Sequence, residues 1–285
     1  MTDLKARAKI NLSLDVKGIR PDGYHEICTI MQTLELYDRV WVWIIDSGVQ
    51  IQCADDKVPC DEQNTAYKAA ALMQRKYKIK SGIAVKLEKN IPISAGLAGG
   101  SADAAAVVKA INKKFNLKLS NEQLIETGKE IGADVPFCIV GGTALAEGIG
   151  EILTPLKPLP SVKVLLVCPR FGVSTAKIFE QYREKRVKER PDTCALLKAI
   201  DRGDINALAS GMVNVLESVT AREHTIINKT KAALIKYGAL GSQMSGSGPT
   251  VFGLFDDEEI AVSAAKKLRK RGLRCLLTNT FNEES

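Results

Sequence analysis

The sequence has few of the residues that build metal centres, disulfide frameworks or nucleic-acid platforms. Only two of its 285 residues are histidine, and its seven cysteines include no Cys-x-x-Cys pair. An odd cysteine count without paired spacing argues against a disulfide framework and a zinc site, and it indicates a reducing, cytoplasmic location. Because aromatic residues make up only 5% of the chain, no aromatic-interleaved basic patch of the kind that binds RNA stands out.

Long apolar runs and internal repeats are also lacking. The polar start Met1–Lys5 leads directly into a strand-like segment, so we expect neither export nor membrane insertion. What the chain does have is a net charge of +7, which favours anionic partners such as nucleotides, diphosphates, nucleic acid or an anionic membrane. Composition does not choose among them, and most of the lysines are expected on a solvated surface. A length of 285 residues with 45% hydrophobic content predicts two domains.

The first part of the chain is rich in predicted β-structure. Ala6–Val16 alternates apolar and polar residues, which indicates a half-buried strand. Arg20–Gly23 is a turn signal, and Arg39–Ile45 and Ile83–Glu88 follow as strands. Two helices are expected next. One covers Asp103–Ile111, and the other starts at Ser120 with a capping box to Gln123 and ends near Gly132.

Three prolines between residues 154 and 161 mark the predicted boundary, so we expect domains at 1–157 and 158–285 with an active site between them. The second domain is predicted to have the β-α-β-β-α-β order of a ferredoxin-like fold with extra helices. The predicted strands are Lys163–Cys168, Ala239–Met244, Thr250–Phe255 and Leu273–Thr278. The predicted helices are Thr193–Ile200, Asp204–Glu217, Glu223–Lys236 and Glu258–Arg271.

A glycine-rich loop directly precedes the first helix. Its residues are Pro92, Ile93, Ser94, Ala95, Gly96, Leu97, Ala98, Gly99, Gly100, Ser101 and Ala102. Small residues before a helix bring backbone N–H groups close to a polyphosphate, which predicts a nucleotide site. The loop matches neither the Walker pattern nor Gly-x-Gly-x-x-Gly. By glycine count alone, a flexible turn with a tightly packed helix start fits equally well.

Three motifs in order resemble those of the GHMP kinases, the superfamily of galactokinase, homoserine kinase and mevalonate kinase. The loop resembles the central motif of these enzymes, Ala8–Leu12 their N-terminal substrate motif, and Gly241–Thr250 their C-terminal glycine motif. The resemblance implies an α+β, two-domain GHMP kinase fold, with an N-terminal half like ribosomal protein S5 domain 2 and a ferredoxin-like C-terminal half. At three positions of the loop this sequence departs from many relatives, which carry glycine or serine there: Ser94, Ala98 and Ala102. All three residues are small, so we expect the loop to keep its phosphate-binding conformation.

Two further segments narrow the resemblance. Arg20–Glu26 and Gly132–Phe137 are similar to signatures of the GHMP subfamily that acts on a cytidine diphosphate ester of methylerythritol. The resemblance implies ATP with Mg²⁺, phosphorylation of the 2-hydroxyl of that ester in the non-mevalonate route to isoprenoids, and a cytoplasmic monomer or homodimer that binds neither nucleic acid nor membrane.

The resemblance also assigns the catalytic roles. Asp134 would accept the hydroxyl proton, and Pro136 is expected to bias Val135 away from helix and so help expose that carboxylate. Lys9 would lie beside Asp134, keep it ionised and aim its ammonium group at the acceptor oxygen or γ-phosphate. Without the resemblance, Asp134 can also be a turn or helix cap, and a lone strand lysine such as Lys9 is typically an exposed charge.

The remaining site residues are predicted on similar grounds. Tyr24 and His25 would stack on and recognise the cytosine, with Phe179 closing the other side, although Phe179 fits a simple helix anchor nearly as well. The other substrate contacts are Asn11, Thr175, Gly246, Ser247 and Gly248. Ser101 is a candidate Mg²⁺ or phosphate ligand or only an N-cap, and Asn64 is expected near the adenine.

Other functions remain open from the sequence. A GHMP kinase acting on homoserine or mevalonate would not need Tyr24 and His25 for a pyrimidine. A non-catalytic nucleotide sensor would keep the glycine loops without catalysis, but the presence of both Lys9 and Asp134 speaks against it. A basic RNA-binding module would owe its affinity to lysines.

Overall fold

The computed structural model describes residues 2–282, and the chain divides into two compact units. The first unit contains the chain up to Lys9, Leu36–Ile93 and Ala98–Gly141. The second contains Ile10–Glu35, Ser94–Leu97 and the chain from Gly142 onward. The boundary predicted between residues 157 and 158 stays a prediction. Among residues 2–282, no helix combines the length and the apolar content that crossing a bilayer requires.

Strands and helices are mixed along the whole chain. The strands are β1 (Thr2–Ile19), β2 (His25–Ile45), β3 (Val49–Cys53), β4 (Gly82–Glu88), β5 (Thr143–Gly148), β6 (Ile152–Pro155), β7 (Lys163–Cys168), β8 (Gly241–Met244), β9 (Val251–Phe255) and β10 (Arg274–Asn279). The helices are α1 (Thr65–Lys76), α2 (Gly99–Lys114), α3 (Asn121–Lys129), α4 (Val135–Val140), α5 (Thr175–Gln181), α6 (Thr193–Arg202), α7 (Ile205–Ser210), α8 (Glu217–Glu223), α9 (Ile226–Lys236) and α10 (Glu258–Arg269), with a 3₁₀ helix at Glu184–Arg186.

In the first unit, helices α1 and α2 pack on one face of a sheet. The last part of β2 pairs antiparallel with β4, which also pairs in parallel with β3. The buried face of these strands contributes Val40, Val42 and Val85 to the core, and α2 contributes a run of alanines and valines. Small side chains allow α1 and α2 to approach closely, which fixes the start of α2 next to α1.

Helix positions in this unit follow local signals. The capping box at α3 is confirmed, with both reciprocal hydrogen bonds between Ser120 and Gln123. Helix α2 is also confirmed, with Ser101 and Asp103 near its start as predicted; it begins at Gly99 and ends at Lys114. The expectation that Ser101 caps this helix is therefore wrong, because Ser101 lies inside its first turn.

In the second unit, β7 to β10 form an antiparallel sheet with the order β10-β7-β9-β8. In order of appearance these strands are the fourth, first, third and second, which is the arrangement of a split β-α-β unit. Helices α9 and α10 contribute Leu234 and Leu268 to the core below this sheet. The predicted ferredoxin-like order is confirmed.

One predicted helix of the second unit is wrong. The region predicted as one helix, Asp204–Glu217, contains only the short helix α7, and α8 begins at its last residue. Between them, the N–H of Leu14 in β1 donates to the carbonyl of Val213 over 3.0 Å, and the N–H of Val215 donates to the carbonyl of Leu14 over 3.0 Å. Because these backbone groups pair with a strand, they cannot continue a helix.

Candidate active site

The glycine-rich loop bends through three residues with left-handed backbone. Ser94, Gly96 and Ala98 have φ values of 53°, 78° and 56°. Ala98 is the N-cap of α2 and supplies no side-chain hydrogen bond to the helix start. The first N–H groups of α2 therefore have no side-chain oxygen from the N-cap, which suits them to an anion.

Two contacts within the first unit fix the start of α2. Thr65 Oγ1 donates to the carbonyl of Gly100 over 2.7 Å, which ties the beginning of α1 to that of α2. Lys89 forms buried ion pairs with Asp38 and Asp103, and Asp38 also accepts the N–H of Ile91 over 2.8 Å. Burial raises the pKa of Asp103, and the charge of Lys89 opposes that rise. This cluster anchors the chain on either side of the loop.

Within the second unit, residue 96 of the loop lies against the C-terminal glycine motif. A Cβ atom at Gly96 would stand 2.3 Å from the carbonyl oxygen of Ser245 and 3.0 Å from that of Gly248. Ser245 Oγ donates to the carbonyl of Gly96 over 2.8 Å. The N–H of Asn11 in β1 donates to the same Ser245 Oγ over 3.4 Å. Ser245 therefore connects three of the predicted motif regions.

Side chains of the second unit hold the turn Gly246–Gly248 through hydrogen bonds to its backbone. Asn214 Nδ2 donates to the carbonyls of Met244 and Gly246 over 2.9 and 2.8 Å. Thr220 Oγ1 donates to the carbonyl of Ser247 over 3.0 Å, and the Gly248–Pro249 peptide bond is cis. These bonds to backbone carbonyls leave the Ser247 side chain to contact another predicted residue: its Oγ lies 2.9 Å from Thr175 Oγ1.

The two predicted catalytic side chains meet in the first unit. Lys9 Nζ lies 3.5 Å from Asp134 Oδ2, with Lys9 buried and the Asp134 side chain 34% exposed. Asp134 occupies the N-cap position of α4 without any side-chain capping bond, so its carboxylate is not committed to the helix. A partly exposed carboxylate beside a buried ammonium group can accept a proton from a bound hydroxyl.

The expected effect of Pro136 on Val135 is wrong. Val135 is the first residue of α4, and Pro136 lies in the first turn. Proline fits there because the N–H groups of a first turn have no partner inside the helix. The exposure of Asp134 therefore comes from its place at the helix start.

Two of the three predicted pyrimidine residues, His25 and Phe179, form an aromatic group with Tyr182 in the second unit. The His25 imidazole lies 5.1 Å from the Phe179 ring centroid with a tilt of 40°, and Tyr182 meets it edge-on at 5.9 Å. Partial burial lowers the pKa of His25 below its ordinary value. Tyr24 is 61% exposed, and its N–H donates to Asp22 Oδ1 over 3.1 Å in the preceding turn.

Two other residues predicted to contact the substrates, Asn64 and Asn11, have side chains that form hydrogen bonds within the protein. Asn64 is the N-cap of α1: its Oδ1 accepts the N–H of Ala66 over 2.8 Å, and its Nδ2 donates to the carbonyl of Pro59 over 2.7 Å. Asn11 is buried in β1, two residues beyond Lys9, and its Nδ2 donates to Thr29 Oγ1 over 2.8 Å. Their roles toward ATP and the acceptor stay predictions.

Comparison with known proteins identifies two matching family models and relatives that align over nearly the full chain. The family models "GHMP kinases N terminal domain" and "GHMP kinases C terminal" match residues 64–142 and 196–273. The chain is 50% identical to a 4-diphosphocytidyl-2-C-methyl-D-erythritol kinase of Acetivibrio thermocellus, with 98% of each chain covered. It is 48% identical to the protein of the same name from Caldicellulosiruptor saccharolyticus, with 99% of this chain and 97% of that one covered.

Solved structures of related kinases have a similar fold. A crystal structure of 4-(cytidine 5'-diphospho)-2C-methyl-D-erythritol kinase matches with a TM-score of 0.84 and 33% identity, covering 99% of this chain and all of that one. A homoserine kinase from Cytophaga hutchinsonii matches with a TM-score of 0.74 and 21% identity, covering 99% of this chain and 96% of that one. At this lower identity the likeness shows the fold alone.

Proposed function

The chain belongs to the 4-diphosphocytidyl-2-C-methyl-D-erythritol kinases within the GHMP kinases, and we propose that it transfers the γ-phosphoryl group of ATP to the 2-hydroxyl of the cytidine-linked methylerythritol, a step toward isoprenoids. The observation that carries the proposal is the ion pair between Lys9 and Asp134, whose Nζ and Oδ2 atoms are 3.5 Å apart. A carboxylate oriented by a cation can take the proton of an alcohol as its oxygen attacks phosphorus.

The reaction follows from the chemistry of the pair. Asp134 takes the proton of the 2-hydroxyl as its oxygen bonds to the γ-phosphorus, and the bond from that phosphorus to the bridging oxygen of ADP breaks. Lys9 holds Asp134 in orientation and supplies positive charge where charge builds on the transferring group. The first turn of α2 and the loop before it bind the phosphates through backbone N–H groups.

Mg²⁺ is the metal we assign to this reaction, where it would neutralise phosphate charge. Ser101, in the first turn of α2, offers a hydroxyl ligand, whereas the Asp103 carboxylate is engaged by Lys89. No group of three acidic, histidine or cysteine side chains able to hold a metal occurs in the described part of the chain. That fits an ion held mainly by nucleotide phosphates and water.

Location and assembly are part of the proposal. All seven cysteines are free thiols, which agrees with the proposed reducing cytoplasm. We keep the prediction of a monomer or homodimer that acts without nucleic acid or membrane.

The acceptor is tested by comparing turnover of three alcohols with ATP. We expect kcat/KM for the cytidine-linked methylerythritol to exceed that for mevalonate and homoserine by a factor on the order of 10³ or more, because a pyrimidine site discriminates through contacts that the small alcohols lack. The measurement is acceptor-dependent ADP release. Faster turnover of either small alcohol, or ATP binding without acceptor-dependent ADP release, would contradict the proposed function.

The pKa of His25 predicts a pH dependence of substrate binding. Because partial burial lowers this pKa below the ordinary value of about 6.5, His25 is neutral at pH 7 and can both donate to and accept from a base edge. The neutral form is lost as pH falls through the lowered pKa, so KM for the cytidine substrate should rise on acidification. Steady-state kinetics across this range measure the effect.

The matched control for this prediction is His25→Gln, which cannot titrate. Its KM for the cytidine substrate should be higher than that of the unmodified enzyme at neutral pH and should change little on acidification. KM for ATP, measured over the same pH range, separates the effect from a general loss of activity. An unchanged pH profile in His25→Gln would remove His25 from base recognition.

A further inference from the structure

A buried carboxylate of the second unit has partners that the reaction does not use. Asp15, in β1, is 2% exposed. Its Oδ1 accepts from Arg190 Nη1 over 2.5 Å, and its Oδ2 pairs with Lys17 Nζ over 2.8 Å. A carboxylate buried to this degree is retained only with partners of this kind. Arg190 is 175 residues away in the chain, so the pair fixes a distant segment to β1.

The guanidinium group of Arg190 holds that segment at two points. Nη1 also donates to the carbonyl of Val16 over 2.9 Å. Nη2 donates to Glu184 Oε1 over 2.9 Å, in the 3₁₀ helix. A planar fork of donors can make these bonds together, whereas a single ammonium group cannot span them. Through these hydrogen bonds, Arg190 connects both ends of the segment 184–190 to strand β1.

Tyr182 lies directly before this fastened segment. It is the C-cap residue of α5 and is buried, and its ring meets the His25 imidazole edge-on with a centroid distance of 5.9 Å. Its hydroxyl is buried and lies beside the Arg190 guanidinium. Burial raises the pKa of Tyr182, and the charge of Arg190 acts against that rise, as expected for close neighbours.

The Tyr182 ring is placed by packing, by the Arg190 guanidinium beside its hydroxyl and by the backbone that follows it, which is the segment held by Arg190. We propose that Arg190 is a positioning residue for base recognition: through Asp15 and Glu184 it holds the Tyr182 ring against His25 and so orients the imidazole. This inference rests on the proposed function, because it assumes that His25 contacts the cytosine.

Kinetics of four variants test the proposal. Arg190→Lys keeps a cation beside Asp15 but loses the fork. Tyr182→Leu removes the ring while keeping an apolar side chain, and the double variant combines them. Glu184→Gln weakens only the outer hold, because it removes the negative charge of the acceptor at a side chain that is 80% exposed, so it leaves folding unaffected. Arg186→Lys, at an exposed arginine of the same 3₁₀ helix, is the matched control, and thermal unfolding is measured for all variants.

We expect Arg190→Lys to raise KM for the cytidine substrate about three- to ten-fold, the range of one aromatic contact, while kcat and KM for ATP stay near their original values. Tyr182→Leu should raise it similarly, and Glu184→Gln less. The double variant should not exceed Tyr182→Leu, because Arg190 acts through the ring. Arg186→Lys should change nothing.

Three results would overturn the proposal. An unchanged KM in Arg190→Lys and Glu184→Gln would do so, as would additive effects in the double variant or a fall in kcat without a change in KM. These results leave the proposed function standing, provided the unmodified enzyme phosphorylates the cytidine substrate. If the unmodified enzyme does not, the proposed function fails, and the positioning role fails with it.

Discussion

Replacing Asp134 by asparagine should lower kcat by about 10²- to 10⁴-fold, the usual contribution of a general base, with little change in KM for ATP. Asparagine has nearly the same shape but cannot take a proton at neutral pH. The Asp134 side chain is partly exposed and makes no capping bond to α4, but its replacement takes a charged partner from buried Lys9 and should also lower stability. Single-turnover measurements with saturating ATP isolate the chemical step.

The partner of Asp134 gives a second measurement of the same step. Lys9→Met should also lower kcat strongly, and the double variant Lys9→Met with Asp134→Asn should be little worse than the poorer single variant, because residues that act as a unit are not additive. Glu126→Gln is a control of similar kind, since it breaks an exposed ion pair with Lys129 in the same unit. Near-normal turnover by Asp134→Asn would exclude it as the base.

Local signals in the sequence were sufficient for most of the fold. The capping box of Ser120 and Gln123 is encoded within four residues, and the order of β7 to β10 follows from apolar runs separated by turns. Three motifs in order were sufficient for the GHMP resemblance, which the full-length relatives confirm. The ion pair of Lys9 and Asp134 was expected from that resemblance and is present.

Contacts between distant segments could not be predicted. Ser245 joins Asn11 and Gly96 through one hydroxyl group, across 234 and 149 residues; it lies within the C-terminal glycine motif, but nothing local in the sequence shows which residues it bonds. The pairing of Leu14 with residues 213 and 215 broke a helix that the local sequence favours. Such contacts depend on the folded arrangement of a whole unit, so propensity and spacing do not reveal them.

Left-handed backbone at residues other than glycine was also missed. Ser94 and Ala98 have positive φ values, although the sequence predicted only that small residues would preserve the loop. Such conformations cost about 1–2 kcal/mol each for a residue with a Cβ atom, so the surrounding structure must hold them. The Lys89, Asp38 and Asp103 cluster, which anchors the chain on either side of the loop, is one source of that hold.

Replacing Gly96 by alanine should raise KM for ATP by a factor on the order of 100 and lower the free energy of unfolding by more than about 2 kcal/mol. Two costs combine at this position. The φ of 78° disfavours any Cβ atom, and the added atom would stand 2.3 Å from the Ser245 carbonyl oxygen, a backbone atom directly after β8 that cannot rotate away as a side chain could. The loop must move, which displaces its backbone N–H groups from the phosphates.

Gly203→Ala separates these two costs. Gly203 has a φ of 67° at the end of α6, and a Cβ atom there would meet nothing within 4 Å. This control should therefore lose only about 1 kcal/mol of stability and keep its KM for ATP. Urea unfolding and nucleotide titration compare the two variants directly. If Gly96→Ala loses no more stability than Gly203→Ala and binds ATP normally, the close packing of Gly96 on Ser245 has no part in nucleotide binding.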